Sequence, residues 1–336
     1  MSAIQHATQG AVALEIKNVS RFFGGESGAL ARWAQRAGLA KPPGRVHAVD
    51  EVSLNVHAGE VVGLVGESGC GKSTLGRIAA GILPPSLGTV TLHPHGETQA
   101  STASSQFPVQ MIFQDPYASL NPRMRVLDIV GEAARVHKVP GAEDYEAFVA
   151  TQMRRAGLDP AYMRRYPHEF SGGQRQRIGI ARALAVNPRI IVCDEAVAAL
   201  DVSIQAQVLN LFMDLRDELS LTYLFISHDL GVVRHISDRV AIMYLGRLVE
   251  LATTRQVFAM PNHPYTQALL NEVPRLDVRK KTFTSIKGEI PSPLNPPKGC
   301  HFHPRCPRAF ERCRTEQPIL REISPGHVSA CHLNDQ

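Results

Sequence analysis

Short apolar runs alternate with amphipathic stretches along most of this chain. The runs at 60–65, 189–193 and 221–226 are bounded by polar or turn-forming residues, which is typical of buried β-strands. Residues 126–165 are rich in Ala, Glu and Arg and favour helices, and Ser171 is a good N-cap for the helical segment that follows it. Strands that alternate with helices predict an α/β core built around a mostly parallel sheet.

The two ends of the chain break this alternation. A strand is predicted at 11–19 and a strand pair at 46–56, and a Gly- and Pro-rich insertion at 24–45 separates them. A hairpin is predicted at 240–251, where two apolar runs flank a short turn. Pro becomes frequent after residue 260, so we predict a domain boundary there. The predicted units are a core at 1–260, which contains an inserted helical subdomain at about 116–180, and a small Cys-rich C-terminal extension at 261–336.

Length and composition exclude several classes of protein. The chain has 336 residues, enough for about two domains, and its 44% apolar and 20% charged residues are ordinary for a globular protein. No window approaches 18 consecutive apolar residues, and the N-terminus lacks the basic and apolar regions of a secretory signal, so we expect a cytosolic chain. The net charge is +5, and the first 260 residues have no excess of basic residues that could form a basic stripe. This argues against a nucleic-acid partner.

A glycine-rich segment follows the apolar run at 60–65 and precedes a helical stretch. Residues 66–73 read GESGCGKS, in the strand–loop–helix setting that a phosphate-binding loop requires. Glycines let successive backbone N–H groups wrap a phosphate, and the helix N-terminus adds a favourable dipole. Lys72 can reach the β- and γ-phosphates and Ser73 can ligate Mg²⁺, so the loop predicts a nucleotide site.

A second element of phosphoryl-transfer chemistry lies at 189–195, which reads RIIVCDE. Asp194 ends an apolar strand, where it can hold Mg²⁺, and Glu195 can act as general base toward the attacking water. A strand followed by charged residues is common by itself. Beside the phosphate loop, it predicts a site for ATP hydrolysis.

The sequence FSGGQ lies before these acidic residues in the chain. With this motif added, the chain resembles the ATP-binding cassette (ABC) ATPases. The order of the motifs is more specific than any one of them, and the match runs from about residue 12 to residue 255. The resemblance implies a P-loop ABC ATPase fold. The motifs in chain order are the phosphate loop, Gln114, FSGGQ at 170–174, Asp194 with Glu195, ALD at 199–201 and His228.

The resemblance implies a role for each of these residues. Those that would surround the bound nucleotide are Phe23, Gly66, Ser68, Gly69, Gly71, Lys72, Ser73, Thr74, Gln114 and Asp194. Those that would take part in catalysis are Gln114, Glu195 and His228, and those that would hold Mg²⁺ are Ser73, Gln114 and Asp194. Those that would contact the nucleotide of a second ATPase subunit, across a head-to-tail dimer, are Ser171, Gly172, Gly173, Gln174 and Asp201.

Some positions depart from the family pattern or have rivals. Phe22 is the rival of Phe23 for stacking on adenine. Phe170 stands where the signature often has Leu, which keeps the position apolar. Ala198 replaces the serine of the common SALD sequence, so one hydrogen bond between subunits is in doubt.

A closer resemblance links the chain to the ATPase subunits of oligopeptide and dipeptide importers. It is carried by QDPYASLNPRM at 114–124, HPYTQALL at 263–270, GEIPSPLNPPKGC at 288–300 and HFHPRC at 301–306. Within that family, the insertion at 24–45 that leads into HAVD resembles the second of the two ATPase subunits. The closer resemblance implies a peripheral protein at the cytoplasmic face of the inner membrane. It also implies a heterodimer with a second ATPase subunit, two integral membrane permease subunits and an extracytoplasmic solute-binding protein. Residues 115–125 would form part of the groove for a permease helix.

Other functions remain open alongside peptide import. Nickel, glutathione and opine-like compounds are imported with similar ATPases. A non-transport ABC ATPase acting on DNA or ribosomes is disfavoured, because the chain has one cassette and no sustained heptads between phosphate loop and signature. A metal- or redox-sensing regulator built around the C-terminal cysteines is a third possibility.

Four of the six cysteines lie in the C-terminal extension, with the spacing C-x5-C-x6-C-x17-C. A reducing cytosol disfavours disulfides, while the close Cys pairs of zinc sites and the ferredoxin spacings are both absent. Nearby histidines leave mixed zinc ligation open, and cysteines that bind no metal are a further alternative. The spacing alone therefore identifies no metal. Similar tails of oligopeptide-type ATPases bind a 4Fe–4S cluster, and that resemblance favours a structural cluster here. Its ligands would be Cys300, Cys306, Cys313 and Cys331.

Overall fold

Two β-sheets carry the fold. The structure is a computed structural model that describes residues 10–24, 44–93, 108–272 and 288–335, so nearly all of the insertion predicted at 24–45 lies outside the described residues. The strands in chain order are β1 (Val12–Phe23), β2 (Val46–His57), β3 (Val61–Val65), β4 (Leu87–Leu92), β5 (Val109–Ile112), β6 (Ile190–Asp194), β7 (Thr222–Ile226), β8 (Arg239–Tyr244), β9 (Arg247–Thr253), β10 (Arg321–Ser324) and β11 (His327–Ser329). The helices are α1 (Lys72–Ala79), α2 (Val126–Val136), α3 (Tyr145–Arg155), α4 (Gly172–Leu184), α5 (Val202–Leu219), α6 (Leu230–Ile236), α7 (Thr254–Ala259), α8 (Pro264–Glu272) and α9 (Glu311–Thr315).

The larger sheet has eight strands in the order β10-β11-β9-β8-β3-β7-β6-β5. The five strands from β8 to β5 are parallel, whereas β9, β10 and β11 pair in antiparallel fashion at the other side. Every residue of β3, β6 and β7 is buried, because both faces of this part of the sheet are covered. This explains why the sequence shows continuous apolar runs there, and it confirms the predicted α/β core.

The smaller sheet is antiparallel, with the order β2-β1-β4. Its strands are longer than predicted: β1 continues to Phe23, and β2 is one strand from Val46 to His57. Leu14, Ile16 and Leu54 of this sheet pack in one buried cluster with Leu75 and Ile78 of α1. Helix α1 therefore lies between the two sheets, and its N-terminus is fixed by the apolar packing on both sides.

The predicted helical stretch at 126–165 forms two helices, α2 and α3, followed by a 3-10 turn at Pro160–Tyr162. Gly131 permits their close approach, since a Cβ there would lie 2.5 Å from the ring of Tyr145. Helix α4 packs against both and begins at the predicted N-cap, Ser171. None of the helices in the described residues combines the length and the apolarity needed to span a bilayer.

The C-terminal extension joins the larger sheet through β11. Val328 pairs with Leu251, and Ser329 pairs with Glu250 of β9. The Glu250 carboxylate is fully buried and accepts hydrogen bonds from His327 Nε2 at 2.7 Å and from the backbone N–H groups of residues 262 and 263. The domain boundary near residue 260 stays a prediction, and these contacts show that the chain on its two sides shares one sheet.

His263 is a neutral histidine in this buried network. Its Nδ1 accepts a hydrogen bond from the backbone N–H of Tyr265 at 3.1 Å, and its side chain is 1% exposed. Burial lowers the pKa of His263 to about 3, although a backbone hydrogen bond with Ala330 acts in the opposite direction. Protonation would place a second N–H against the Tyr265 donor and a charge in the core.

We therefore predict that His263 makes the fold sensitive to acid. Its folded pKa lies below the ordinary value of 6.5, so the unfolded chain binds more protons as the pH falls between these values, and stability is lost. Between pH 8 and pH 5.5 this one residue should account for a loss of about 1 kcal/mol. Urea unfolding of wild type and His263→Gln at both pH values measures it, with His235→Gln, at an exposed position of α6, as matched control. The same pH dependence in wild type and His263→Gln would contradict this prediction.

Candidate functional site

The segment predicted to bind phosphate connects the end of β3 with the start of α1. Its glycines are required by close backbone approaches. A Cβ on Gly66 would lie 2.1 Å from the Met243 carbonyl oxygen, and one on Gly71 would lie 2.0 Å from the Ala48 carbonyl oxygen. Gly69 and Gly71 also have positive φ, +78° and +105°. Side chains at these positions would deform the loop, while Ser68 is exposed and free to meet a ligand.

Lys72 folds back over this loop. Its Nζ donates to the carbonyl oxygens of Gly66 at 2.8 Å and Glu67 at 2.9 Å, and the residue is 4% exposed. The ammonium group is thus held inside the ring of backbone that would wrap a phosphate. A bound phosphate would give this cation a charged partner in place of neutral carbonyl groups.

Ser73 and Asp194 join the loop to the neighbouring acidic strand. Ser73 Oγ donates to Asp194 Oδ1 at 2.7 Å, although the residues are 121 positions apart in sequence. Burial raises the pKa of Asp194, and the Ser73 hydrogen bond and the charge of Arg77 oppose the increase. A hydroxyl group and a carboxylate side by side are the hard oxygen donors that Mg²⁺ prefers. Thr74 follows on α1 and is half-buried.

Glu195 lies between the two other residues predicted to act in catalysis. Gln114 Nε2 donates to its Oε2 at 2.8 Å, and His228 Nδ1 lies 3.4 Å from its Oε1. The Glu195 backbone has φ +49° and donates its N–H to the Ile226 carbonyl, which fixes the residue at the end of β6. The structure therefore brings Gln114, Glu195 and His228 together, one residue beyond Asp194.

The two candidate aromatic residues at the end of β1 have different surroundings. Phe22 packs edge to face with His47, with ring centroids 4.8 Å apart. Phe23 is 39% exposed, and the Arg21 guanidinium lies 5.0 Å from its ring centroid. Phe23 is thus the ring with a free face, and its stacking on adenine stays a prediction.

The signature residues lie at the N-terminus of α4. Ser171 Oγ accepts from the Gln174 N–H at 3.3 Å, and Gln174 Oε1 accepts from the Ser171 N–H at 3.0 Å, which forms a capping box. Gly173 packs on Ile204, whose Cγ2 would lie 2.4 Å from an added Cβ, whereas Gly172 faces open space. Asp201 is exposed at the start of α5. Among the described residues, no hydrogen bond connects these side chains to the chain's own phosphate loop.

The segment after Gln114 is held against α4. The Arg175 guanidinium lies 4.0 Å from the centroid of the Tyr117 ring, and that ring is itself 62% exposed. Arg182 donates to the Ser119 carbonyl oxygen at 2.6 Å, and burial lowers the pKa of Arg182. Asp115 Oδ1 accepts from two backbone N–H groups and tightens the turn. A movement of this segment would therefore also displace α4, the helix that begins at the signature residues.

The six cysteines are free thiols in two settings. Cys70 and Cys193 are buried, and burial raises the pKa of both thiols, which disfavours their thiolate forms. Burial likewise raises the pKa of Cys300, to about 12, and the other tail cysteines add to the increase. All four tail cysteines line one cavity of about 10 Å³.

The predicted metal site in the tail gains no support from this geometry. Within the described ranges there is no group of three or more His, Cys, Asp or Glu side chains placed to hold a metal ion. The zinc alternative requires such a group, because four thiolates or imidazoles must close on one ion at about 2.3 Å or less. The iron–sulfur assignment and the description of the tail as a Cys-rich unit stay predictions.

Sequence reasoning missed two residues that contact the phosphate loop. Arg305, in the tail, forms two hydrogen bonds with the Glu67 carboxylate, and Tyr265 Oη accepts from the Glu67 N–H. The sequence shows a charged residue inside the loop and an arginine between two cysteines, but nothing in it indicates that these two residues are in contact.

Comparison with known families places two matches on the chain. Residues 49–198 match the model described as ABC transporter, and residues 249–313 match the model described as oligopeptide/dipeptide transporter, C-terminal region. The first range covers the phosphate loop, the signature and the acidic strand. The second covers β9, α8 and three of the four tail cysteines.

Solved structures share the fold. The chain resembles cbiO1 from Clostridium perfringens, part of the ABC transporter complex cbiONQ, with a TM-score of 0.59 and 25% identity over 74% of this chain and 92% of that one. It also resembles the ATP-binding cassette MJ0796, solved as a dimer bound to ADP and Pi, with a TM-score of 0.57 and 27% identity over 72% of this chain and 99% of that one.

Curated relatives extend the likeness over nearly the whole length. The oligopeptide transport ATP-binding protein AppF of Bacillus subtilis is 48% identical over 95% of this chain and 97% of the relative. The dipeptide transport ATP-binding protein DppF of Haemophilus influenzae is 49% identical over 88% of this chain and 92% of the relative. The chain therefore belongs to the ABC transporter ATP-binding proteins, within the group of oligopeptide and dipeptide transport ATP-binding proteins.

Proposed function

We propose that this chain binds and hydrolyses ATP to power the import of di- and oligopeptides. The observation that carries the proposal is the position of Glu195, which lies between Gln114 and His228 and directly follows the acid bonded to Ser73 of the phosphate loop. The names and near full-length similarity of AppF and DppF support peptides as the cargo.

The phosphates of ATP would occupy the loop between β3 and α1. Lys72, whose ammonium is positioned by two backbone carbonyl oxygens, would bind the β- and γ-phosphates, while backbone N–H groups surround the chain of phosphates. Ser73, Asp194 and Gln114 would hold Mg²⁺, which neutralises developing charge on the phosphates when it is bound. Phe23 would cover the adenine with its free face.

Glu195 would accept a proton from the attacking water. Its carboxylate is largely shielded, with 15% of the side chain exposed, so the water is taken from a restricted volume. Gln114 holds one carboxylate oxygen and keeps the group oriented. His228, which is 58% exposed beside it, can turn toward the γ-phosphate and stabilise its charge.

A second subunit would complete the site. Ser171, Gly172, Gly173, Gln174 and Asp201 would face the nucleotide of that subunit, which suits their position at exposed helix starts. The dimer of the related cassette MJ0796 supports this arrangement. The partner would be a similar but different ATPase subunit, so that the pair is a heterodimer.

Membrane subunits would dock on the segment at 115–125. The exposed Tyr117 ring and its stacking on Arg175 support this, because a permease helix could press on the ring and move α4. Two permease subunits and an extracytoplasmic solute-binding protein would complete the importer. The chain would then be a peripheral protein at the cytoplasmic face of the inner membrane, with a nucleotide-binding unit at 1–260, a helical subdomain at about 116–180 and an extension at 261–336.

We also propose that the extension holds a 4Fe–4S cluster. The four thiols line one cavity, yet they are not grouped for a single metal ion. A cluster contains four irons and four sulfides between its thiolates, and so requires wider sulfur spacing than one zinc does. Iron would bind thiolates and would lower the pKa values of Cys300, Cys306 and Cys331, which burial raises in the free thiols.

Glu195→Gln should keep MgATP binding and lower hydrolysis by the assembled complex about 10²–10⁴-fold, since the amide cannot accept the proton. Steady-state phosphate release and equilibrium nucleotide binding measure the two properties separately. Glu146→Gln, at an exposed position of α3, is the matched control and should leave both unchanged. Wild-type turnover in the Glu195→Gln complex would remove the proposed base.

The chain alone should be a weak ATPase at dilute concentration, because its signature residues serve a nucleotide on another subunit. Turnover per chain should rise when a related ATPase subunit of the same transporter is added. Rates can be followed across a concentration series with and without that partner. Full activity that is independent of concentration and of partner would contradict the shared site.

Anaerobically purified chain should be brown, with absorbance near roughly 400 nm and about four irons per chain. Cys313→Ser should lose most of the iron, whereas Cys70→Ser, at a buried thiol outside the cavity, should retain it. Metal analysis and absorbance spectra test both variants. A colourless wild-type protein with one zinc and no iron would contradict the cluster.

A further inference from the structure

An ion pair between Arg305 and Glu67 connects the C-terminal extension with the phosphate loop. Arg305 Nη1 donates to Glu67 Oε2 at 2.7 Å, and Nη2 donates to Glu67 Oε1 at 2.9 Å. The Arg305 side chain is 4% exposed and that of Glu67 is 19% exposed. This is a fork-to-fork pair, the strongest and most directional geometry available to a guanidinium and a carboxylate.

Glu67 is also held through its backbone. Its N–H donates to Tyr265 Oη at 2.9 Å, and its carbonyl oxygen accepts from Lys72 Nζ at 2.9 Å. The residue thus connects Arg305 on one side with the phosphate-binding lysine on the other. A displacement of Glu67 would move one of the two carbonyl oxygens that position the Lys72 ammonium.

Aromatic packing next to Arg305 restricts the position of its side chain. Phe302, three residues earlier, lies with its ring centroid 5.2 Å from that of Tyr244 and 5.4 Å from that of Tyr265. The Arg305 Nη1 is also 3.5 Å from Tyr244 Oη. The short 3-10 turn His303–Arg305 follows directly from this packing, so the guanidinium has little freedom to follow a moving loop.

We propose that Arg305 is a positioning residue for the phosphate loop, and that the C-terminal extension thereby sets the affinity of the site for the triphosphate of ATP. The proposal rests on the proposed nucleotide-binding function of residues 66–73. Arg305 touches no substrate; it acts through Glu67 and Lys72. A contact that merely anchors the tail would change the stability of the protein and leave nucleotide affinity as it is.

Glu67→Gln separates positioning from simple charge. Glu67 is negative and lies in a loop that receives anionic phosphates, so removal of its charge alone would tighten binding. Loss of the fork-to-fork pair would instead loosen the loop and weaken binding. The positioning role therefore predicts that the Glu67→Gln protein binds ATP less tightly than wild type, whereas the loss of charge alone predicts tighter binding.

The test uses the full chain and measures the Kd for MgATP by calorimetry, together with thermal unfolding. Arg305→Gln and Glu67→Gln should each raise the Kd about tenfold, which corresponds to about 1.4 kcal/mol. Arg305→Lys should recover part of the affinity, because it keeps the charge but not the fork. The double variant should be no weaker than the worse single variant, since both remove one shared contact.

Arg314→Gln is the matched control, because it removes a charge from an exposed tail arginine. It should leave the Kd unchanged. If Arg305→Gln does not fold, Glu67→Gln and Arg305→Lys decide the question, because Arg305→Lys keeps the positive charge and Glu67→Gln alters the less buried partner. Wild-type protein that fails to bind MgATP would overturn the proposed function itself. Wild-type protein that binds, with Glu67→Gln binding equally or more tightly, would overturn only the positioning role.

Discussion

The parallel pairing of β6, β7 and β3 is the constraint on which the nucleotide site depends. Asp194 pairs with Ile226, and Ile226 pairs with Leu64, so three strands end at the same level of the sheet. The segments that leave these ends carry the phosphate loop, Glu195 and His228. Because all three strands are buried on both faces, a slip in register would expose apolar residues and dismantle the site at once.

A second layer of contacts fixes the C-terminal extension onto this frame. Glu250 is a fully buried carboxylate that collects three donors, and Arg305 reaches the phosphate loop from the opposite end of the sequence. Buried charges are tolerated only when their partners are exact in position, and removing one partner leaves the other desolvated. The extension is thus fastened by directional polar contacts in addition to the buried apolar cluster that Tyr265, Leu269 and Phe302 form with residues of the core.

Much of the core and of the nucleotide site could be predicted because local sequence determines it. The loop at 66–73 follows a buried strand, and the capping box of Ser171 and Gln174 spans only three residues. The tail strands β10 and β11 could not be predicted, because both are short and polar. They form through their pairing with each other and through the pairing of β11 with β9. The Arg305–Glu67 pair joins residues 238 positions apart, and no local pattern encodes such a contact. Helix α5 was missed although Val208, Phe212 and Leu215 have helical spacing.

The left-handed backbone of Glu195 has a consequence for how this protein can change. A non-glycine residue at φ +49° carries strain of about 1 kcal/mol or more, which Gly would relieve and Asn would reduce. Directed evolution for heat resistance alone would therefore favour Gly or Asn at this position, and the selected variants would lack the carboxylate of the proposed general base. Thermostability and the proposed proton transfer thus make opposing demands on this single codon.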